Sequence, residues 1–351
     1  MPEEAFAVRN ASEMELFHCW PIFQWLVLPC LGLLLAVSVA HAQTCLAAPD
    51  MGAPIRTSLE STAQRYFEMS ARGDTAGLRQ NSIAALAASF SGVETAVKDN
   101  EASFVGARAT ARPPFLLSAD GPEPLPRAEF LCGVFGPSGQ TSQSAVFVLN
   151  NLPPGKYAVV ILDVSGGKES RTLTFVLQQA GTDWKLAGYY ARSTESAGHD
   201  SAWYADKARE FKKKSENHNA WLYFREAIAL SSPVDFMSTL ASDKLYDETQ
   251  GVKPADMPMN GNAVDLSAAG KAYRLSDVFP LAVGSDLDVV VKYASADISN
   301  TPKTFQDNMA VIKALVAKYP ELREAFAGVV ARAVAPSGQD YGSMLPMKEI
   351  K

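Results

Sequence analysis

His199-Asp200 sets a titratable imidazole beside a carboxylate, the residue types of a general acid–base site, just after the last of a run of strand-like segments. Neighbouring side chains seldom aim at one substrate, and Asp is a preferred helix cap, so the simpler reading is a polar turn that starts a helix. Asp163, with Tyr189 and Tyr190, is the other candidate catalytic set: one carboxylate in an expected strand and two phenols further along the same sheet. Asp286-Leu287-Asp288 offers two carboxylates at a strand start, too few hard oxygen ligands for calcium.

Two further groups suit binding rather than catalysis. Lys207, Arg209, Lys212, Lys213 and Lys214 form a basic cluster that would meet an acidic partner or lipid head groups, although such runs are usually the solvated side of a helix. Trp203, Tyr204, Phe211, Trp221, Tyr223 and Phe224 have the composition of a partner-binding groove, but at helical spacing such residues more often form core. Trp203, Trp221, Tyr223, Lys212 and Lys213 are the partner-binding candidates. The sequence has no nucleophile elbow, no His-Glu-x-x-His, no phosphate-binding loop, no dinucleotide fingerprint and no Cys-x-x-Cys, so no cofactor or metal is expected.

These residues must be positioned by the surrounding elements. Leu59, Ala63, Tyr66, Phe67 and Ser70 recur at helical spacing, Gly73 ends that helix, and Asp74 is placed to cap a second one carrying Leu78, Ile83, Leu86 and Phe90. Residues 112–141 are rich in proline and read mostly as loop, with one short strand near Phe130–Phe135. Ser144–Leu149, Tyr157–Val164, Thr172–Gln178 and Trp184–Arg192, separated by Gly- and Pro-containing turns, predict a four-stranded antiparallel meander. Ala158 to Leu162 is apolar at every position, which requires cover on both faces of the sheet.

The order of helices then sheet, and the phrase Gly181-Thr182-Asp183-Trp184-Lys185-Leu186-Ala187-Gly188-Tyr189-Tyr190, resembles secreted bacterial members of the nuclear transport factor 2-like superfamily over about residues 58–192. The resemblance implies a cone whose curved sheet wraps the helices around a possible pocket. Members include isomerases, dehydratases and non-catalytic binding modules, so it does not choose a function. This chain departs from the enzymatic members in having no His in the stretch and Asp163 as the one acidic residue inside an expected strand. Residues 193–246 then resemble a single tetratricopeptide hairpin, with Tyr204, Ala208 and Phe211 on one helix and Ala220, Phe224, Ala227 and Leu230 on the next. A lone repeat must bury its face elsewhere, and the preceding sheet is the expected platform. Residues 247–270 read as a linker, and 271–351 as a small β-β-α-β domain with a helix opening at Thr301-Pro302 and Phe305, Met309, Ile312, Val316 and Tyr319 as its buried stripe.

The uncharged run from Trp20 to Ala40, followed by Ala40-His41-Ala42, marks residues 1–42 as a signal peptide, with Met14 an alternative start because the preceding residues are acidic. An uncleaved membrane anchor is the competing reading. The net charge of −6 becomes −3 without that segment, since Glu3, Glu4, Glu13 and Glu15 outnumber Arg9, and no basic excess remains to bind nucleic acid. Cys45 and Cys132 stay in the exported chain. A disulfide between them is possible, but a buried free thiol at Cys132 is the favoured reading. Together these observations predict an α+β protein of the cell envelope: exported, non-catalytic, and binding a protein or a small apolar ligand through the cone and hairpin. The alternatives are a cone-type enzyme acting on a small hydrophobic substrate, and a membrane-anchored structural component.

Overall fold

The structure, a computed structural model, describes residues 43–135, 139–259 and 261–351; the expected leader, with Met14, lies outside them. Strand β1 (Gln43–Leu46) leads into α1 (Ala53–Ala71), which has Pro54 in its first turn, where a missing N–H is harmless. Leu59, Ala63, Tyr66, Phe67 and Ser70 form its buried face, as their spacing predicts. Gly73, at φ 66°, ends the helix, and the Asp74 carboxylate accepts from Gly77 N at 2.8 Å to start α2 (Thr75–Gln80). The second helix expected from the spacing is in fact two. The chain breaks at Ser82, which bridges to Leu186, before α3 (Ala84–Ala88) and α4 (Ser91–Phe104).

Seven strands follow: β2 (Arg108–Ala111), β3 (Phe115–Ala119), β4 (Leu125–Cys132), β5 (Ala145–Leu152), β6 (Gly155–Ser165), β7 (Arg171–Ala180) and β8 (Asp183–Ser193). The main sheet has the order β1-β3-β6-β7-β8, with β2 also on β6. The meander therefore holds for three strands and not four. Strand β5 leaves it to pair with β4 in a second sheet, because Pro153-Pro154 supplies no N–H for a hairpin ladder and the chain steps from one sheet to the other. The proline-rich segment carries two strands rather than one, β3 and β4, the second ending at Cys132 and not Phe135, with its prolines at strand edges and turns.

This arrangement explains the doubly apolar β6. Ala158, Val160 and Leu162 face Leu59, Tyr66, Phe67 and Phe104 of the helical layer. Tyr157, Val159 and Ile161 face Phe130 and Phe147 of the second sheet. Cys45 and Cys132 form a disulfide, with Cα atoms 5.1 Å apart, tying β1 to the end of β4; the free-thiol expectation is corrected. The pairing of β1 with β3 sets Cys45 opposite Leu117, and this register brings it over the second sheet.

The short hairpin β9 (Glu195–Ser196) and β10 (His199–Asp200) opens the second half of the chain. It leads to α5 (Ser201–Lys213), α6 (Asn217–Ser231), β11 (Met237–Ser238) and α7 (Leu240–Gln250). Strand β11 joins the second sheet beside β5. Then come β12 (Val264–Ala268), β13 (Lys271–Val283), β14 (Asp286–Ala294), α8 (Thr301–Lys318), α9 (Leu322–Ala325), β15 (Gly328–Val334) and β16 (Asp340–Pro346). The third sheet runs β12-β13-β14-β15-β16, parallel only at β14–β15, where α8 and α9 make the crossover. Residues 247–270 thus contain the end of α7 and the strand β12.

The hairpin α5–α6 does not rest on the preceding sheet. Tyr204, Phe211, Ala220, Phe224 and Ala227 share one core with Leu275, Val289, Val291 and Val329 of the third sheet. Helix α8 is capped by Asn300, which accepts from Lys303 N, one residue before the expected Thr301. Its buried face is Thr304, Asn308, Val311, Ile312, Leu315 and Val316, while Phe305 is 48% exposed. Asn308 turns the helix inward: its side chain accepts from Tyr293 Oη at 2.7 Å and donates to Ser343 Oγ at 2.9 Å.

Arg209 fastens α5 to α7 by a two-pronged contact with Glu248, Nε and Nη2 donating at 2.7 and 2.8 Å. These hydrogen bonds hold the Glu248 carboxyl below its usual value of 4.5. A folded-state value below the unfolded one means that the pair stabilises at pH above about 4.5 and that this contribution is lost as pH falls through the lowered value. Arg209→Ala is expected to cost about 1 kcal/mol or less at pH 7, because the pair is partly exposed and screened, and almost nothing at pH 3. Urea midpoints of both proteins at the two pH values check this.

Candidate functional site

Two left-handed residues, Ala197 at φ 48° and Gly198 at φ 77°, make the tight turn between β9 and β10. Tyr204 Oη donates to Ser196 O at 2.8 Å and pins that turn to α5. Asp200 Oδ1 accepts from Trp203 N at 2.9 Å, so the carboxylate is spent on the helix cap. His199 points elsewhere, its ring stacked on Trp203 with centroids 3.7 Å apart and planes 5° from parallel. The two residues therefore do not form an acid–base dyad.

The stack stands at the mouth of a cleft of about 360 Å³ between the start of α5, the turn into β14 and the segment after α9. Its walls include Trp203, Tyr204, Tyr223, Leu287 and Phe326, and Asp286 and Glu324 stand at its edge. Tyr223 Oη donates to Ala325 O at 2.6 Å. Burial pushes the Tyr204 phenol up to about 12 and raises that of Tyr223 as well, so both remain protonated near neutrality. Tyr204, Tyr223 and Phe326 are themselves buried, so the rings the cleft exposes are those of His199 and Trp203, beside the carboxylates of Asp286 and Glu324.

On the other side of the β9–β10 turn a second cleft of about 570 Å³ lies between the β6–β7 turn, α6 and the end of β13. It contains Glu226, whose carboxyl is raised by burial against the opposing effects of Ser196 and Arg225. Arg171, on the same wall, already donates to Ser103 Oγ at 3.0 Å and pairs with Glu169. The sequence signal for Glu226 is its place on α6 three residues after Tyr223, a charge at apolar spacing.

The other candidates are dispersed. Asp163 is half-exposed and held in a fork by Arg112, whose Nε and Nη2 donate at 3.0 and 2.7 Å. Tyr189 is buried edge-to-face on Phe175 at 5.6 Å, and burial pushes its phenol up to about 12. Tyr190 lies on the opposite face of β8 and packs on Phe236. Phe175, Tyr66 and Leu173 occupy the space between sheet and helices where a pocket would be needed. Strand alternation places Tyr189 and Tyr190 on opposite sides, so a site combining them with Asp163 does not form.

Among the partner-binding candidates, Trp203 and Tyr223 meet at the cleft, and Trp221 does not. Trp221 is 2% exposed, with the Arg225 guanidinium 4.8 Å over its ring. Lys212 and Lys213 are exposed in the last turn of α5, where cations complement the helix dipole. The rest of the basic cluster is paired: Lys207 with Glu210, Arg209 with Glu248 and Asp206, and Lys214 with Glu324.

His218 has more polar contacts than His199. Its Nδ1 lies 2.5 Å from Glu321 Oε1 and its Nε2 2.9 Å from Asp256 Oδ1, so both ring nitrogens face carboxylates. This clamp joins α6 to the loop before α9 and to the segment before β12. Among the described residues no group of three or more His, Cys, Asp or Glu is arranged to hold a metal ion, and no helix is long and apolar enough to cross a membrane. Comparisons with protein-family models, with curated proteins and with solved structures find no match for the chain.

Proposed function

We propose that the protein is an exported, non-catalytic binding protein of the cell envelope, and that its ligand enters the cleft framed by His199, Trp203 and Tyr223. The half-exposed Trp203, stacked by His199 at the mouth of an aromatic cleft, carries the reading. The helix-then-sheet architecture, likened above to the nuclear transport factor 2-like cone, serves here as a scaffold with a filled interior. The Cys45–Cys132 disulfide supports export, because such bonds persist in oxidising compartments. No observation favours the enzyme alternative once Asp163, Tyr189 and Tyr190 are dispersed.

Saturation-transfer NMR with small neutral organic fragments tests the site. Fragments are expected to bind the native protein, and Trp203→Ala is expected to weaken them about tenfold, the loss of one well-stacked aromatic contact. Fragments that bind Trp203→Ala as well as the native protein would place the ligand elsewhere. Export is checked separately by N-terminal sequencing of the envelope fraction, with Gln43 expected as the first residue.

A further inference from the structure

We infer that the Trp203 cleft selects a small organic cation, an alkylammonium or guanidinium group, over neutral ligands of the same shape; this rests on the binding reading above. The cleft is lined by the accessible rings of His199 and Trp203, backed by the buried rings of Tyr204, Tyr223 and Phe326, and by two exposed carboxylates, those of Asp286 and Glu324. Its lining residues include no Lys and no Arg. Aromatic faces carry negative quadrupole density, and a carboxylate at the edge adds a full charge, so the combination stabilises a cation that has shed part of its water.

The two carboxylates differ. Glu324 is already paired with Lys214, which holds it below the usual carboxylate range. Asp286 is exposed, and among the described residues its carboxylate has no hydrogen-bonding or ion-pairing partner. Its charge is felt by Asp288, two residues on and 3% exposed, whose carboxyl is raised first by burial and then by Asp286.

Two lysines lie near aromatic rings of this region, one of them the cleft ring of Trp203. Lys207 Nζ lies 5.9 Å from the Trp203 ring centroid, and Lys214 Nζ lies 5.6 Å from that of Phe211. Both approach from outside the cleft, since neither is among its lining residues. The α5 N-terminus, whose dipole would repel a cation, is met by the Asp200 carboxylate. Lys207 and Lys214 offset charge at Trp203 and Glu324, so Asp286 is the carboxylate left to meet a ligand cation beside Trp203.

The test is an NMR titration of the full exported protein, labelled with 15N at the tryptophan indoles and held at constant ionic strength. Three probes are compared: choline, Nα-acetylarginine methylamide, and 3,3-dimethylbutan-1-ol, the neutral carbon isostere of choline. At least one cation is expected to move the Trp203 indole signal saturably and to bind about tenfold more tightly than the isostere. Tighter binding of choline points to a free organic cation, and tighter binding of the arginine amide to a basic side chain. Asp286→Asn, exposed and isosteric, is expected to abolish the preference while leaving isostere binding unchanged. Equal binding of isostere and cations, or a preference that survives Asp286→Asn, overturns the inference and leaves the cleft as an apolar site. Absence of any saturable shift overturns both the inference and the binding reading.

Discussion

Replacing Cys45 by Ala lowers the stability of the folded chain by about 4 kcal/mol, the entropy released when an unfolded loop of this length is no longer closed. Cys45 and Cys132 are 87 residues apart in sequence, and the bond between them encloses the helical layer together with β2, β3 and β4. Without it, β1 is held to β3 by only a four-residue ladder, and the end of β4 loses its covalent tie to that strand. Urea denaturation followed by circular dichroism is the measurement. The oxidised protein should show a higher midpoint than Cys45→Ala, and addition of a reductant should bring the native protein to the variant's midpoint. Equal midpoints with and without reductant would mean that the bond contributes nothing. Ala at position 45, which is only partly buried, is preferable to a change at the fully buried Cys132, where an added cavity would confuse the comparison.

The second large effect concerns the interior of the N-terminal half. Phe175 is fully buried, with Tyr66 at 5.7 Å and Tyr189 at 5.6 Å, both edge-to-face. Phe175→Ala is expected to cost about 3–5 kcal/mol, the transfer free energy of the ring plus the cavity it leaves. Asp163→Asn should cost under about 1 kcal/mol, since its pair with Arg112 is largely solvated. Were the space between sheet and helices an open ligand pocket, the order would narrow or reverse, because a pocket-lining Phe loses little packing on truncation. Chemical denaturation of the two variants, measured side by side, decides between a filled interior and a binding chamber.

Much of the local structure was legible because it depends on neighbours in sequence. The stripe Leu59, Ala63, Tyr66, Phe67 and Ser70 needs only helical periodicity, and the caps Asp74 and Asp200 need only a short acceptor ahead of unpaired N–H groups. Strands β6 to β8 were visible from alternation and from the Gly-containing turns between them. The candidate site was half legible. Trp203, Tyr223, His199 and Asp286 stand out by residue type, whereas Glu324 and Phe326 do not, and the segments that carry Asp286, Glu324 and Phe326 lie more than sixty residues from Tyr223 in sequence.

Where the fold departs from sequence periodicity, the cause is a partner distant along the chain. Phe305 fits a helical stripe as well as Asn308 does, and only the Tyr293 hydroxyl and the Ser343 side chain make Asn308 the buried one. Apolar β5 suits either sheet, and β4 and β11 decide which. Periodicity by itself determined which segments are helices and strands, which faces are apolar, and that β6 must be covered twice. Tertiary structure alone decided that a second sheet supplies one of those covers, that the hairpin α5–α6 buries its face on the C-terminal sheet, that Cys45 meets Cys132, and that the space behind Phe175 is filled. Apolar burial is non-directional: a stripe states that it needs a partner, and only the packed fold states which one.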